Sequence, residues 1–236
     1  MKHWWLGVAV AALGCGGTEI GNPGKSTAQL QTVIFSSDPN VGIDSGGGEL
    51  AVSELWVKLS RLTFRRSDDS LIGEIPIAEA CNLRSAMTCI PEPTFDAPDV
   101  CKINLELGAD VPVPDGAPAE VTAAKIFIGG TRADGAPFVI TADIDTTTTM
   151  INPDKFDLQN SGPLLFSVDV GLWVQGNILQ NAEPEADGVI RVDRTTYPDI
   201  AAVIEARIPW GFGLYADTDG NGSLSAEELA TPLARP

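Results

Sequence analysis

From Leu164 to Val174 the chain alternates. Leu164, Phe166, Val168, Val170, Leu172 and Val174 fall on one side of an extended backbone, with Ser167 and Asp169 on the other. Successive side chains of a strand point to opposite faces, so this period of two predicts one long, half-buried strand. Such a strand needs a sheet to pair in and a second layer to cover its apolar face. Further strands are predicted at 29–35, 101–107 and 189–193. A hairpin is predicted from 120–128 and 137–144, joined through the glycine-rich connection 129–136. In Leu50–Arg65, Leu55, Val57 and Leu59 alternate, then Leu62 and Phe64 switch phase, as they would across a β-bulge. A helix would also fit Val52, Leu55, Leu59 and Leu62, but the Val, Trp, Thr and Phe of this stretch favour strand. Only Pro198–Arg207 reads as a convincing helix. Pro198 suits the first turn, Asp199 faces the positive end of the helix dipole, and Ile200, Val203, Ile204 and Arg207 share a face. Short strands, many turns and little helix predict a mainly β chain, a β-sandwich over 28–196 followed by a C-terminal helix and loop over 197–236.

Charge and rare residues narrow the function. The 236 residues carry 15 Lys+Arg against 32 Asp+Glu, a formal net charge of −17. Nucleic acid is excluded as a partner by phosphate repulsion, whereas divalent cations are favoured. The single histidine is His3, near the N-terminus. Without another imidazole the rest of the chain cannot run Ser-His-Asp or Cys-His catalysis or build a His-liganded zinc site. The expected protein is therefore not an enzyme, although chemistry by two carboxylates, as in glycan hydrolases, survives this filter. Cys81, Cys89 and Cys101 flank a proline-rich segment; in an oxidising compartment one pair should bond and one thiol should remain, and spacing does not choose the pair.

The run Asp217-Thr218-Asp219-Gly220-Asn221-Gly222-Ser223-Leu224-Ser225-Ala226-Glu227-Glu228 concentrates hard oxygen ligands at alternate positions. It resembles the calcium loop of the EF-hand family at every position that touches the metal. The resemblance implies side-chain ligands from Asp217, Asp219, Asn221 and Ser225, the backbone carbonyl of Ser223, and a bidentate Glu228. Gly222 takes the sharp turn at the sixth position and Leu224 the apolar anchor at the eighth. The family's incoming helix is not expected here, because Ile208–Ala216 contains Pro209, Gly211 and Gly213. The outgoing helix is expected over Ala226–Ala230, capped by Ser225 and stopped by Pro232. A lone loop of this kind implies a structural calcium site rather than a paired sensor.

At the other end, a basic Met1-Lys2-His3 precedes the apolar run Trp4–Leu13, too short for the roughly 20 residues that span a bilayer. This reads as a signal peptide over 1–14. Ala12-Leu13-Gly14-Cys15 resembles the lipobox of bacterial lipoproteins, which implies acylation of Cys15 and a lipid anchor in the membrane. Gly16 rather than an aspartate follows, which points to the outer membrane of the bacterial cell envelope. Residues 15–27, rich in glycine, would be a flexible tether.

Two other places could carry function. Trp173 could lie on the exposed strand face and stack on a sugar, although packing is the commoner role; Trp210 and Tyr215 read as packing for the C-terminal segment. Asp143 and Asp145 read as a strand end, with 146–149 a polar loop. The expected function is calcium binding with a structural or adhesive role in the envelope, towards a protein or glycan partner. The alternative is a carbohydrate-binding module or two-carboxylate glycan hydrolase.

Overall fold

The computed structural model describes residues 29–44, 48–85 and 89–236. The signal peptide 1–14, the lipidation site Cys15 and the tether to residue 27 lie outside the described residues. In chain order the elements begin with β1 (Leu30–Phe35), β2 (Val41–Ile43), β3 (Leu50–Val57), β4 (Leu59–Arg65), β5 (Leu71–Pro76), β6 (Cys81–Asn82) and β7 (Val100–Leu107). There follow α1 (Glu120–Ala123), β8 (Ile126–Arg132), β9 (Pro137–Ala142), β10 (Thr148–Phe156), β11 (Leu164–Asp169) and α2 (Val170–Val174). The chain closes with β12 (Ile190–Val192), α3 (Pro198–Arg207), β13 (Phe212–Ala216) and α4 (Ala226–Ala230).

The fold is mainly β, in the manner of a sandwich. One sheet has the order β1-β11-β13, a second β10-β7-β4-β5, and a third β12-β9-β8-β3-β2 with β6 paired to β3. One apolar cluster takes side chains from all three, including Leu55 of β3, Phe64 of β4, Phe138 of β9 and Phe166 of β11. A smaller cluster of Trp56, Ala80, Val121 and Phe127 lies apart from it.

The predicted phase switch in 50–65 has two parts. β3 and β4 belong to different sheets, and the chain crosses between them at Lys58, without a turn. Lys58 is buried, its Nζ donating to the carbonyls of Thr122 (2.7 Å) and Ala109 (3.4 Å). Burial lowers its pKa from the ordinary lysine value. The bulge itself lies at Ser60, where the register of β4 against β7 shifts between Leu59 and Arg61.

Several expectations need correction. The strand predicted over Leu164–Val174 ends at Asp169, where the chain turns into α2 although the alternation continues. The reason is a cap: Asp169 Oδ1 accepts from Leu172 N at 3.1 Å, satisfying an amide the new helix leaves free. The first hairpin strand starts at Ile126, because Glu120–Ala123 form the single turn α1; the second ends at Ala142. The connection is also shorter than predicted, since β8 continues to Arg132 and pairs with β3 and β9. Thr148 and Thr149 open β10, not a loop. Pro153 and the register break between Ile151 and Phe156 hide that strand in the sequence. Asp143 and Asp145 both pair with the buried Lys125 Nζ. Cys81 and Cys89 form the disulfide, and Cys101 is a free, buried thiol.

Three features position the C-terminal loop. β13 pairs antiparallel with β11, from Leu164 opposite Ala216 to Val168 opposite Phe212. The last residues then return: Leu214 N donates to Ala234 O (3.0 Å) and Ile151 N to Arg235 O (2.7 Å), tying β13 to β10 across the tail. Arg235 lies over the Tyr215 ring, 5.3 Å from its centroid.

Candidate metal centre

The segment before the loop is a 3-10 turn, Ile208–Gly211, and then β13, so the loop springs from a strand and no helix leads into it. Pro209 occupies the first turn of that 3-10 segment, where its missing N–H leaves nothing unpaired. Asp217 N donates to Pro163 O at 2.9 Å, which fixes the first loop residue against the start of β11.

From there the loop folds on its own side chains. Asp217 Oδ1 accepts from Asn221 N (3.1 Å) and Oδ2 from Gly222 N (3.0 Å). Asp219 Oδ1 also accepts from Asn221 N (3.1 Å), and its Oδ2 from Asn221 Nδ2 (2.6 Å). Ser223 N donates to Asn221 Oδ1 at 2.7 Å. Short acidic and amide side chains bend their own backbone in this way. Gly222 has φ +72°, in the left-handed region, and a Cβ there would meet Gln31 Oε1 at 2.8 Å. Glycine is favoured at this position by conformation, since the Gln31 side-chain end could swing aside for a Cβ whereas the positive φ cannot be relieved.

Ser225 begins the outgoing helix α4 as predicted. Its Oγ accepts from Glu228 N at 3.2 Å, and Glu228 Oε2 accepts from Ser225 N and Ser225 Oγ, both at 2.9 Å, completing a capping box. Glu228 Oε1 accepts from Thr218 N (2.7 Å) and Thr218 Oγ1 (2.9 Å). One carboxylate therefore ties the second loop residue to the ninth. These donors hold Glu228 ionised and pull its pKa down to about 2, the Ser225 amide contributing most and the Thr218 amide next.

Oxygens of Asp217, Asp219 and Glu228 all lie within 4.8 Å of one another, an arrangement that could hold a metal ion. Asp217 and Glu228 are buried and Asp219 is exposed. Two carboxylates from opposite ends of a short loop repel when ionised and buried together, so the cluster favours a cation between them. Ser225 and Asn221 stand next to this triad through the bonds above, and Ser223 next to Asn221. Among the described residues no other cluster of this kind occurs. Sequence reasoning missed Thr218 and Gln31. Thr218 is exposed and sits at a non-ligand position of the loop, and Gln31 comes from β1, nearly two hundred residues away in the chain.

Of the two tryptophans, Trp173 takes the commoner packing role and Trp210 departs from its expected one. Trp173 is fully buried, its Nε1 donating to Ile208 O at 3.0 Å and its ring edge-on to Phe212. Gly211 makes that approach possible, since a Cβ there would lie 2.0 Å from the indole nitrogen. Trp210, expected to pack, is 65% exposed, while Tyr215 is buried as expected.

Among the described residues no helix is long and apolar enough to cross a membrane. Comparison of the chain with protein families, with curated proteins and with solved structures finds no match.

Proposed function

We propose that this chain binds one calcium ion through the loop 217–228, and that the ion locks the C-terminal segment onto the β body. The observation carrying the proposal is the convergence of Asp217, Asp219 and Glu228 at the end of β13, with two of the three carboxylates buried. Calcium is preferred over magnesium because the donors are flexible oxygens in a loop. Magnesium demands a tight octahedron and gives up its water reluctantly. Asn221, Ser223 and Ser225 complete the ligand set.

All four lone-pair directions of the Glu228 carboxylate already accept hydrogen bonds, two from backbone amides and two from hydroxyls. An ion would take over the two held by the Thr218 and Ser225 hydroxyls, whose protons rotate away at little cost. That exchange weakens net binding and fits the range of extracellular modules, on the order of 10⁻⁴ to 10⁻³ M. The lipobox-type segment ending at Cys15 would anchor the chain to the bacterial cell envelope. In that setting the role is structural or adhesive, towards an envelope protein or glycan.

Thermal melting in calcium, in magnesium and in chelator tests this reading. A melting temperature raised by millimolar calcium alone, and unchanged by calcium in Asp217→Asn, supports it. An identical melt in all three solutions refutes it.

A further inference from the structure

A cleft of about 260 Å³ opens between the end of β11, α2, the 3-10 turn, β13, α4 and the C-terminal tail. Its lining includes Asp169, Leu172, Trp210, Tyr215, Leu229 and Arg235. Asp169 is only 9% exposed. Its Oδ1 accepts from Ser37 N (2.9 Å) and Leu172 N (3.1 Å), but among the described residues Oδ2 accepts no hydrogen bond. This second oxygen is open to the cleft, where water or a ligand hydroxyl can donate to it.

Arg235 offers the opposite group in the same wall. Its Nε donates to Tyr215 Oη at 2.8 Å and its Nη2 to Tyr215 Oη and Leu229 O, so the guanidinium is fixed. Nη1 makes no hydrogen bond among the described residues. Trp210 lines the same cleft as an exposed aromatic surface, 65% exposed, whereas Trp173, Tyr215 and Phe166 are buried. A fixed acceptor, a fixed donor and a flat apolar platform suit a ligand with vicinal hydroxyls and a C–H face. A cationic ligand would satisfy Asp169 but would be repelled by Arg235, so a neutral polyol fits better.

We propose that this cleft is a saccharide-binding site, in which Asp169 Oδ2 accepts a sugar hydroxyl, Arg235 donates to another and Trp210 stacks against the ring face. The site uses none of the loop carboxylates, although Leu229 in its wall belongs to α4, the helix that leaves the loop.

The test is a titration of the purified protein with glucose, galactose, mannose and N-acetylglucosamine, followed by calorimetry and tryptophan fluorescence. It is run in calcium and again in chelator, so that failure of metal binding is seen separately. At least one sugar should bind in the millimolar range and perturb tryptophan emission. Trp210→Ala and Asp169→Asn should each weaken that binding roughly tenfold or more, the loss of one charge-assisted hydrogen bond or one stacking contact. Both variants should keep the wild-type melting temperature, because Trp210 is exposed and asparagine caps a helix as well as aspartate does. The proposal is overturned if no sugar binds at tens of millimolar, if both variants bind as wild type, or if choline binds in place of every sugar.

Discussion

The paired strands β11 and β13 end in two different ways. At one end β13 passes into the loop 217–228, whose bends are made by neighbours in sequence, Asp217 with Asn221 and Gly222, Ser225 with Glu228. At the other, β11 passes into α2 through Asp169, which caps Leu172 but also holds Ser37, 132 residues away in the chain. Trp173 on α2 likewise depends on the carbonyl of Ile208 and the missing Cβ of Gly211. The first end is built by local chemistry and the second by tertiary contact. Local chemistry can operate wherever the loop is placed, whereas the second end exists only when the body has folded.

If that distinction holds, the largest loss of stability belongs to the tertiary end. Trp173→Ala should destabilise by about 3–5 kcal/mol in denaturant unfolding, whereas Trp210→Ala, only thirty-odd residues on, should stay within about 0.5 kcal/mol. Equal effects would mean that the helix α2 is not held by its tryptophan. Next comes the pair of caps. Asp169→Ala removes a helix cap and a long-range bond and should cost about 1–2 kcal/mol, more than the roughly 1 kcal/mol expected for Ser225→Ala. The reverse order would break the comparison.

A pH titration sharpens the local end. Glu228 titrates at about 2 in the folded chain against an ordinary value of 4.5. Its contribution is complete above the unfolded value, and as pH falls protons bind the unfolded chain first, so stability is lost as pH passes down towards 2. Wild-type protein should therefore lose more stability between about pH 5 and 2 than Glu228→Gln, as followed by chemical unfolding at each pH. Parallel curves would mean the carboxylate is not held as described. A further small effect is expected at Gly220, exposed with φ +70° and nothing near a Cβ, where alanine should cost about 1 kcal/mol from backbone strain alone.

The same division explains what could be read from the sequence. The loop was legible because its triad, its turn glycine and its helix cap all lie within twelve consecutive residues. Strands β1, β7, β9 and β12 were legible through their alternation, and so was the bulge at Ser60. Asp169 hid the end of β11, because its pattern continues unbroken to Val174 while the backbone changes to helix. β13 was invisible: Phe212–Ala216 holds a glycine and follows a proline, and it is a strand only because β11 and the returning Ala234 pair with it. Nor could the sequence place the crossing at Lys58, since apolar residues continue on both sides of it while the sheet partners change. The cleft at Asp169 draws on β11, the 3-10 turn and the tail, so no local pattern announces it.

The central claim is that the local end is a calcium site. A calorimetric calcium titration of the purified protein, beside Glu228→Gln, tests it most directly. One site with a dissociation constant on the order of 10⁻⁴ to 10⁻³ M, lost in the variant, is the predicted result. No binding heat at several millimolar calcium, or equal binding by the variant, would contradict it.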